Sequence, residues 1–122
     1  MSTTSFQVQE ESSYELTIPW LNQSDEPLLL VEVASLTLTL YELRSGVIIN
    51  SRSDQDILNA NGVTFHSTTG IMVWSIQPAD TAAVTTTRRE THRALFELTL
   101  GTGAKKKLEV DLVVSNLQKV PT

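Results

Sequence analysis

Hydrophobic and polar residues alternate along much of this chain, and such alternation is typical of β-strands with one buried face. It is clearest at residues 36–40, where leucines alternate with threonines, and at residues 94–100 and 108–114, which a Gly-Thr-Gly turn separates. No window keeps the i, i+3, i+4 apolar spacing of an amphipathic helix over three turns. The pattern therefore predicts an all-β protein whose last two strands form a hairpin.

Further strands follow from the same alternation. Residues 6–9 and 14–20 are predicted to be the first two strands, and residues 36–43 and 47–49 to form a hairpin around Gly46. The Asn61-Gly62 turn precedes a predicted strand at residues 63–66. Residues 71–76 are apolar on both faces except at Ser75, as in a strand that is covered on both sides or lies at an interface.

Three segments leave more than one interpretation open. Residues 28–33 fit a separate strand, the start of a long bent strand that runs to Leu43, or a loop tucked under the sheets. Residues 53–60 have room for one helical turn. Residues 80–91 are rich in threonine and predict a mobile loop, although Pro78-Ala79-Asp80 could also begin a short helix.

Short strands separated by polar turns predict an antiparallel two-sheet β-sandwich of about seven strands and of immunoglobulin-like type. We expect one domain over residues 1–122, with its core at residues 6–116 and flexible arms at residues 1–5 and 117–122. A sandwich of this size needs large side chains in its middle layer. The aromatic residues predicted to supply them are Phe6, Trp20, Phe65, Trp74 and Phe96.

Composition removes several classes of function. The chain has no cysteine, which excludes a disulfide scaffold, a thiolate zinc site and a cysteine nucleophile. Its first residues lack the features of a signal peptide, and no apolar run approaches the ~20 residues that span a bilayer. We expect a soluble protein made in a reducing cytoplasm. The net charge of -5 predicts no attraction of the whole molecule to nucleic acid or to an anionic membrane.

Candidate chemical groups are few. His66 and His92 have no neighbour at metal-ligand spacing, and we interpret both as exposed strand or loop residues. Glu109 and Asp111 share one strand face, which we interpret as an exposed polar face rather than an acid pair. No nucleophile with its base is recognisable. The sequence thus predicts no enzyme, with no catalytic, cofactor or metal residues.

Positive charge is clustered although the total charge is negative. One group is formed by Arg88, Arg89 and Arg93 around a predicted loop, and the other by Lys105, Lys106 and Lys107 at the start of the last strand. No aromatic residue interleaves with either group, so a stacking platform for single-stranded nucleic acid is not indicated. We interpret these six residues as contacts to another protein or as charges that serve only solubility, in preference to nucleic-acid binding.

The order of segments resembles small immunoglobulin-like domains of tailed-bacteriophage virions and is similar to the N-terminal domain of baseplate upper proteins. The resemblance covers roughly residues 6–116. Its first half lies in YELTIPW at residues 14–20, NQSDEPL at 22–28, LTLTLYEL at 36–43 and SGVI at 45–48. Its second half lies in NGV at residues 61–63, GIMVW at 70–74, QPAD at 77–80 and HRALFEL at 92–98. The chain departs from the family where Leu-Thr-Gly follows the proline turn, with Leu30-Val31-Glu32 in its place.

The resemblance implies a structural virion protein without catalytic residues or cofactors. Our leading expectation is a decoration or cement protein on the outer capsid surface, which binds the major capsid protein and associates with itself there. A tail or baseplate adaptor is the first alternative. A carbohydrate-binding sandwich that stacks sugars on Trp20 or Trp74 is the second, and exposed rings would support it.

Overall fold

In the computed structural model, residues 3–9, 12–22, 24–85 and 89–115 are described, and they form eight strands and two 3₁₀ turns. The strands are β1 (Thr3–Gln9), β2 (Tyr14–Pro19), β3 (Val33–Glu42), β4 (Gln55–Asp56), β5 (Val63–Phe65), β6 (Ile71–Ile76), β7 (Arg89–Leu100) and β8 (Lys105–Ser115). The 3₁₀ turns are Leu30–Glu32 and Pro78–Asp80. The described part of the chain contains no α-helix, as the alternation predicts.

The strands form two sheets whose membership identifies the fold. One sheet has the order β1-β8-β7-β3-β4, and the other has the order β2-β6-β5. In sequence order, the second, fifth and sixth strands therefore face a sheet built on the third, seventh and eighth, as in an immunoglobulin sandwich. The predicted immunoglobulin-like β-sandwich is confirmed. All neighbouring strands are antiparallel except β1, which joins the edge of β8 in parallel.

The core lies between the sheets and is built by the alternating residues of the long strands. Trp74 of β6 and Phe96 of β7 meet across the two sheets edge to face, with ring centroids 5.4 Å apart. Such a contact fills the centre without a disulfide. The other buried apolar residues of these strands are Leu36, Leu38, Leu40, Met72, Ile76, Ala94, Leu98, Val110, Leu112 and Val114.

Four of the five aromatic residues predicted for the core are buried there. Phe6 is the exception, with 37% of its surface exposed. Its strand, β1, is the outermost strand of its sheet, and the facing sheet ends at β2, so little covers the Phe6 ring. The prediction of a core Phe6 is therefore wrong.

The segment at residues 28–33 combines two of the interpretations left open. Leu28 is fully buried under the sandwich, residues 30–32 make a 3₁₀ turn, and β3 begins at Val33. Gly70 fixes this corner, since its backbone lies at φ +69° against Trp20 and Leu28. A Cβ at position 70 would stand 2.5 Å from the Trp20 carbonyl oxygen, so only glycine fits.

The structure differs from one local prediction and assigns a segment that the sequence left open. Residues 47–49 do not form a strand; a single bridge joins Ile48 to Tyr41, because the backbone turns again at Asn50 and Ser51, both at positive φ. Residues 53–60, where the sequence had room for one helical turn, contain the two-residue strand β4. Asp56 caps this segment by accepting a hydrogen bond from the Leu58 N–H.

Two segments predicted to be mobile are partly ordered. Of the predicted N-terminal arm, residues 3–5 belong to β1 and pair with β8. In the predicted loop at residues 80–91, Asp80 and Thr81 are buried and β7 begins at Arg89. Side-chain bonds from Asp80 and Thr81 hold the first part of that loop. Residues 86–88 and the predicted C-terminal arm at residues 117–122 lie outside the described residues.

Candidate functional site

A cluster of buried polar side chains lies at the end of the sandwich where β3 ends and β7 begins. The alternation of β7 continues from Phe96 back through Ala94 to His92 and Glu90, so these two polar residues face the core. His92 is fully buried and Glu90 almost so. The prediction of an exposed His92 is therefore wrong. The alternation of inward-facing and outward-facing residues in β7 continues past Ala94, the first apolar residue of that strand to face the core.

His92 connects β7 with the turn at Asp80. Its Nδ1 lies 2.9 Å from the Asp80 carbonyl oxygen, which can only accept, so Nδ1–H is the donor. Its Nε2 forms a hydrogen bond with the Glu90 carboxyl. Burial raises the pKa of Glu90, but hydrogen bonds from Val84 N–H, His92 and Thr85 outweigh that effect, and the pKa lies below its ordinary value. The pair thus ties the loop at residues 84–85 to the core.

Glu42 plays the same role for the turn that follows β3. Its carboxylate accepts hydrogen bonds from the backbone N–H groups of Arg44 and Ser45 at 3.1 and 2.9 Å. Burial raises the pKa of Glu42, yet these hydrogen bonds lower it further than burial raises it. A charged carboxylate therefore fixes the turn at residues 43–46.

Arg52 and Asp80 form a buried ion pair between the segment after β3 and the turn after β6. Arg52 Nε donates to Asp80 Oδ1 at 2.6 Å, and a second guanidinium nitrogen donates to Oδ2 at 3.2 Å. Asn50 Nδ2 and Gln77 N–H also donate to the Asp80 carboxylate, each at 2.9 Å. Every oxygen of this buried carboxylate thus has two donors, which compensates for its removal from water.

The surface above this cluster carries four exposed apolar residues together with arginines. A pocket of about 420 Å³ opens there between the turn after β3 and the start of β7. Glu42 and Glu90 form part of its wall. We call this surface the loop end, and it consists of Leu43, Arg44, Val47, Ile48, Val84 and Arg89, all exposed.

The predicted basic residues do not form one patch. Arg89 lies on the loop end, whereas Arg88 is outside the described residues. Arg93 lies on the outer face of the five-stranded sheet, where Nε and a terminal nitrogen donate to the two oxygens of Asp111 at 2.8 and 3.0 Å. These bonds raise the pKa of Arg93 above its ordinary value. Glu109 and Asp111 therefore form an ion-pair network with Arg93 rather than a free acidic face.

The lysine group lies at the opposite end of the molecule. In the β7–β8 register Lys105 is opposite Thr99, ten residues along β7 from Arg89, so about 33 Å separate Lys105 from Arg89. Lys105 Nζ donates to Glu97 at 2.9 Å, and Lys107 lies 3.8 Å from the same carboxylate. The Lys105 hydrogen bond lowers the pKa of Glu97. Lys106 points the other way, toward a pocket beside Pro19.

The structure removes the residues on which the carbohydrate-binding alternative depended. Trp20 and Trp74 are both buried, so neither ring can stack on a sugar. Among the described residues, no group of three histidine, aspartate or glutamate side chains could hold a metal ion. The same part of the chain includes no helix long and apolar enough to cross a membrane.

The sequence carries a signal for some of these buried groups and none for others. The burial of Glu90 and His92 could have been found by continuing the alternation of inward and outward residues back to the start of β7. The Arg52–Asp80 pair has no such signal, since 28 positions separate its partners and only the fold brings them together.

Comparison with known proteins adds little to this geometry. No family model matches the chain, and no curated protein matches it significantly. Among solved structures, the chain is similar to the first Ig-like domain of human CD48 antigen. The two are 17% identical over 98% of this chain and 85% of that domain, with a TM-score of 0.41.

Proposed function

We propose that this chain is a non-enzymatic structural protein of a tailed-bacteriophage virion that binds the outer capsid surface as a decoration or cement protein. The observation that carries the proposal is the loop end. Apolar side chains with arginines at their rim, beside a pocket that can receive a partner's side chain, are typical of protein contact surfaces. The resemblance in segment order supports a virion as the setting.

The buried cluster makes the loop end suitable for binding. Glu42 and Glu90 accept backbone N–H groups of the two segments that carry the exposed residues. Segments held in this way lose less conformational entropy when a partner binds, which leaves more of the contact energy for affinity. The partner we propose is the major capsid protein, with the chain made in the host cytoplasm and added to the assembled head.

A tail or baseplate adaptor remains the second candidate, because the resemblance to the N-terminal domain of baseplate upper proteins favours it. The two functions differ in location and in number, since a capsid lattice offers many more equivalent sites than a baseplate does. Both would use the loop end as the contact surface.

The test is sedimentation of the purified protein with capsids that lack it and, separately, with isolated tails. We expect the wild type to bind capsids and Leu43→Asp and Arg44→Ala/Arg89→Ala variants to bind at least about tenfold more weakly. Lys105→Ala, which removes a charge at the opposite end of the molecule, is the matched control and should bind like the wild type. Binding to tails but not to capsids would replace the capsid function with the adaptor, and loss in the control alone would contradict the loop end.

A further inference from the structure

In the described part of the chain, no strand pairs with the outer edge of β2. Trp20 N–H donates to the Gly70 carbonyl, so even-numbered residues of β2 bond to β6, and Glu15, Thr17 and Pro19 direct their backbone groups outward. Their side chains are exposed along the strand. Two outward N–H groups, those of Glu15 and Thr17, have no acceptor within the part of the chain that the structure describes, and Pro19 has no N–H.

The other edge of the same sheet is closed. Asn59 Oδ1 accepts the outward N–H of Phe65 at 2.6 Å, and the Ala60 carbonyl accepts that of Val63 at 3.1 Å. A side chain and a tight turn thus cover β5, while β2 has no comparable cover among the described residues. Unprotected edges of this kind pair with further strands.

Opposite charges mark the two ends of the open edge. Near its start, Glu15 lines a pocket of about 140 Å³ with Phe6 and Tyr14. Near its end, Pro19 lines a pocket of about 410 Å³ with Lys106 and Lys107. The edge is therefore acidic where β2 begins and basic where β2 ends, with partly exposed apolar side chains between.

We propose that two copies of this chain pair through β2, antiparallel about a twofold axis at Thr17. Each Thr17 then exchanges backbone hydrogen bonds with Thr17 of the partner subunit, and each Glu15 N–H donates to the carbonyl of Pro19 of the partner subunit. Every outward N–H of β2 is satisfied. The acidic start of one edge also meets the partner's lysine pocket, which is the charge complementarity that selects a second copy as the occupant.

Charge also selects this register over its neighbours. A shift that centres the axis on Glu15 places two like charges directly opposite, which is destabilising. With the axis at Thr17, two threonines lie side by side and the sheets join into one of six strands.

Because the paired strands run in opposite directions, the loop ends of the two copies point away from each other. The dimer could therefore bridge two separate sites.

The experiment is sedimentation equilibrium of the full chain over a range of concentrations. We expect a dimer for the wild type, an increase of about tenfold in its dissociation constant for Glu15→Lys and for Lys106→Glu, and recovery to within about threefold in the double variant. Lys105→Glu makes the same change of charge on the outer face of β8 and should dimerise normally. Thr17→Pro removes an outward N–H without touching the β6 ladder and should be monomeric.

Circular dichroism and thermal unfolding show whether each variant is folded. If Thr17→Pro fails to fold, the charge exchange decides the question. A wild type that remains monomeric up to about 1 mM, a folded Thr17→Pro that still dimerises, or a double variant no tighter than the single ones would overturn the proposal.

Discussion

The buried pair of Arg52 and Asp80 should be the most sensitive polar contact of the described structure. Arg52→Met keeps most of the side-chain volume but leaves the Asp80 carboxylate, which is fully buried, without its countercharge. Asp80→Leu likewise leaves the buried guanidinium without its countercharge, with the Gln55 side-chain oxygen still accepting a hydrogen bond from it. Breaking a buried ion pair from one side costs about 3–5 kcal/mol. A domain of this size has a free energy of unfolding of about 5–15 kcal/mol, so each variant should lose a large part of its stability.

The double variant separates charge from packing. With both charges removed, no ion is left buried, and the loss should fall below the sum of the single losses by at least about 2 kcal/mol. Urea denaturation gives the free energy of unfolding of the wild type, the two single variants and the double variant. Each single variant should also have a melting temperature about 10 °C lower or more. Lys105→Ala, which breaks the exposed ion pair with Glu97, should leave the free energy of unfolding close to that of the wild type. Single losses under about 1 kcal/mol, or strictly additive losses, would refute the reasoning.

Three further predictions concern the corner, the core and pH. Gly70→Ala should destabilise strongly or prevent folding, whereas Gly46→Ala, at a similar φ but with nothing within 4 Å, should cost only about 1 kcal/mol; urea unfolding of both checks this. Phe96→Ala leaves a cavity against Trp74 and should cost about 3–5 kcal/mol by the same assay; a loss under about 1 kcal/mol would contradict the packing. Since the pKa of Glu42 is lowered in the folded state, its stabilisation is present above about pH 4.5 and lost as pH falls. Melting curves should therefore show Glu42→Gln less stable at neutral pH, with a deficit that shrinks below pH 4.5; a deficit independent of pH would argue against a charged Glu42.

The strands were predictable where alternation is long and uninterrupted. Residues 94–100 and 108–114 lie within β7 and β8, and leucines 36, 38 and 40 point into the core as expected. These features depend on local periodicity, which the sequence displays directly. The start of β7 was not predicted, because Glu90 and His92 are polar although they occupy inward-facing positions of the strand. The hydrophobic alternation therefore ends before the strand does.

The buried polar cluster was largely hidden from the sequence for a different reason. Charged residues are rarely buried unless they are paired, so no local pattern predicts the burial of Arg52, and Asp80 was predicted to lie in a loop or at the start of a short helix. Their burial depends on partners brought together by the fold, such as Arg52 for Asp80. The contact prediction for the six basic residues stays a prediction, with Arg93 paired to Asp111 and Arg89 on the loop end.

The parallel attachment of β1 to β8 constrains the order in which this protein can fold. Thr3 pairs with Glu109, about a hundred residues later in the chain, so β1 has no strand to join until β8 has been made and has docked on β7. Contacts this distant in sequence slow folding, because a long loop must close before the contact contributes stability. Until then, the edges of both strands are available to other chains. A cell that makes this protein therefore has to protect a nearly complete sandwich from aggregation before its final strand pairing forms.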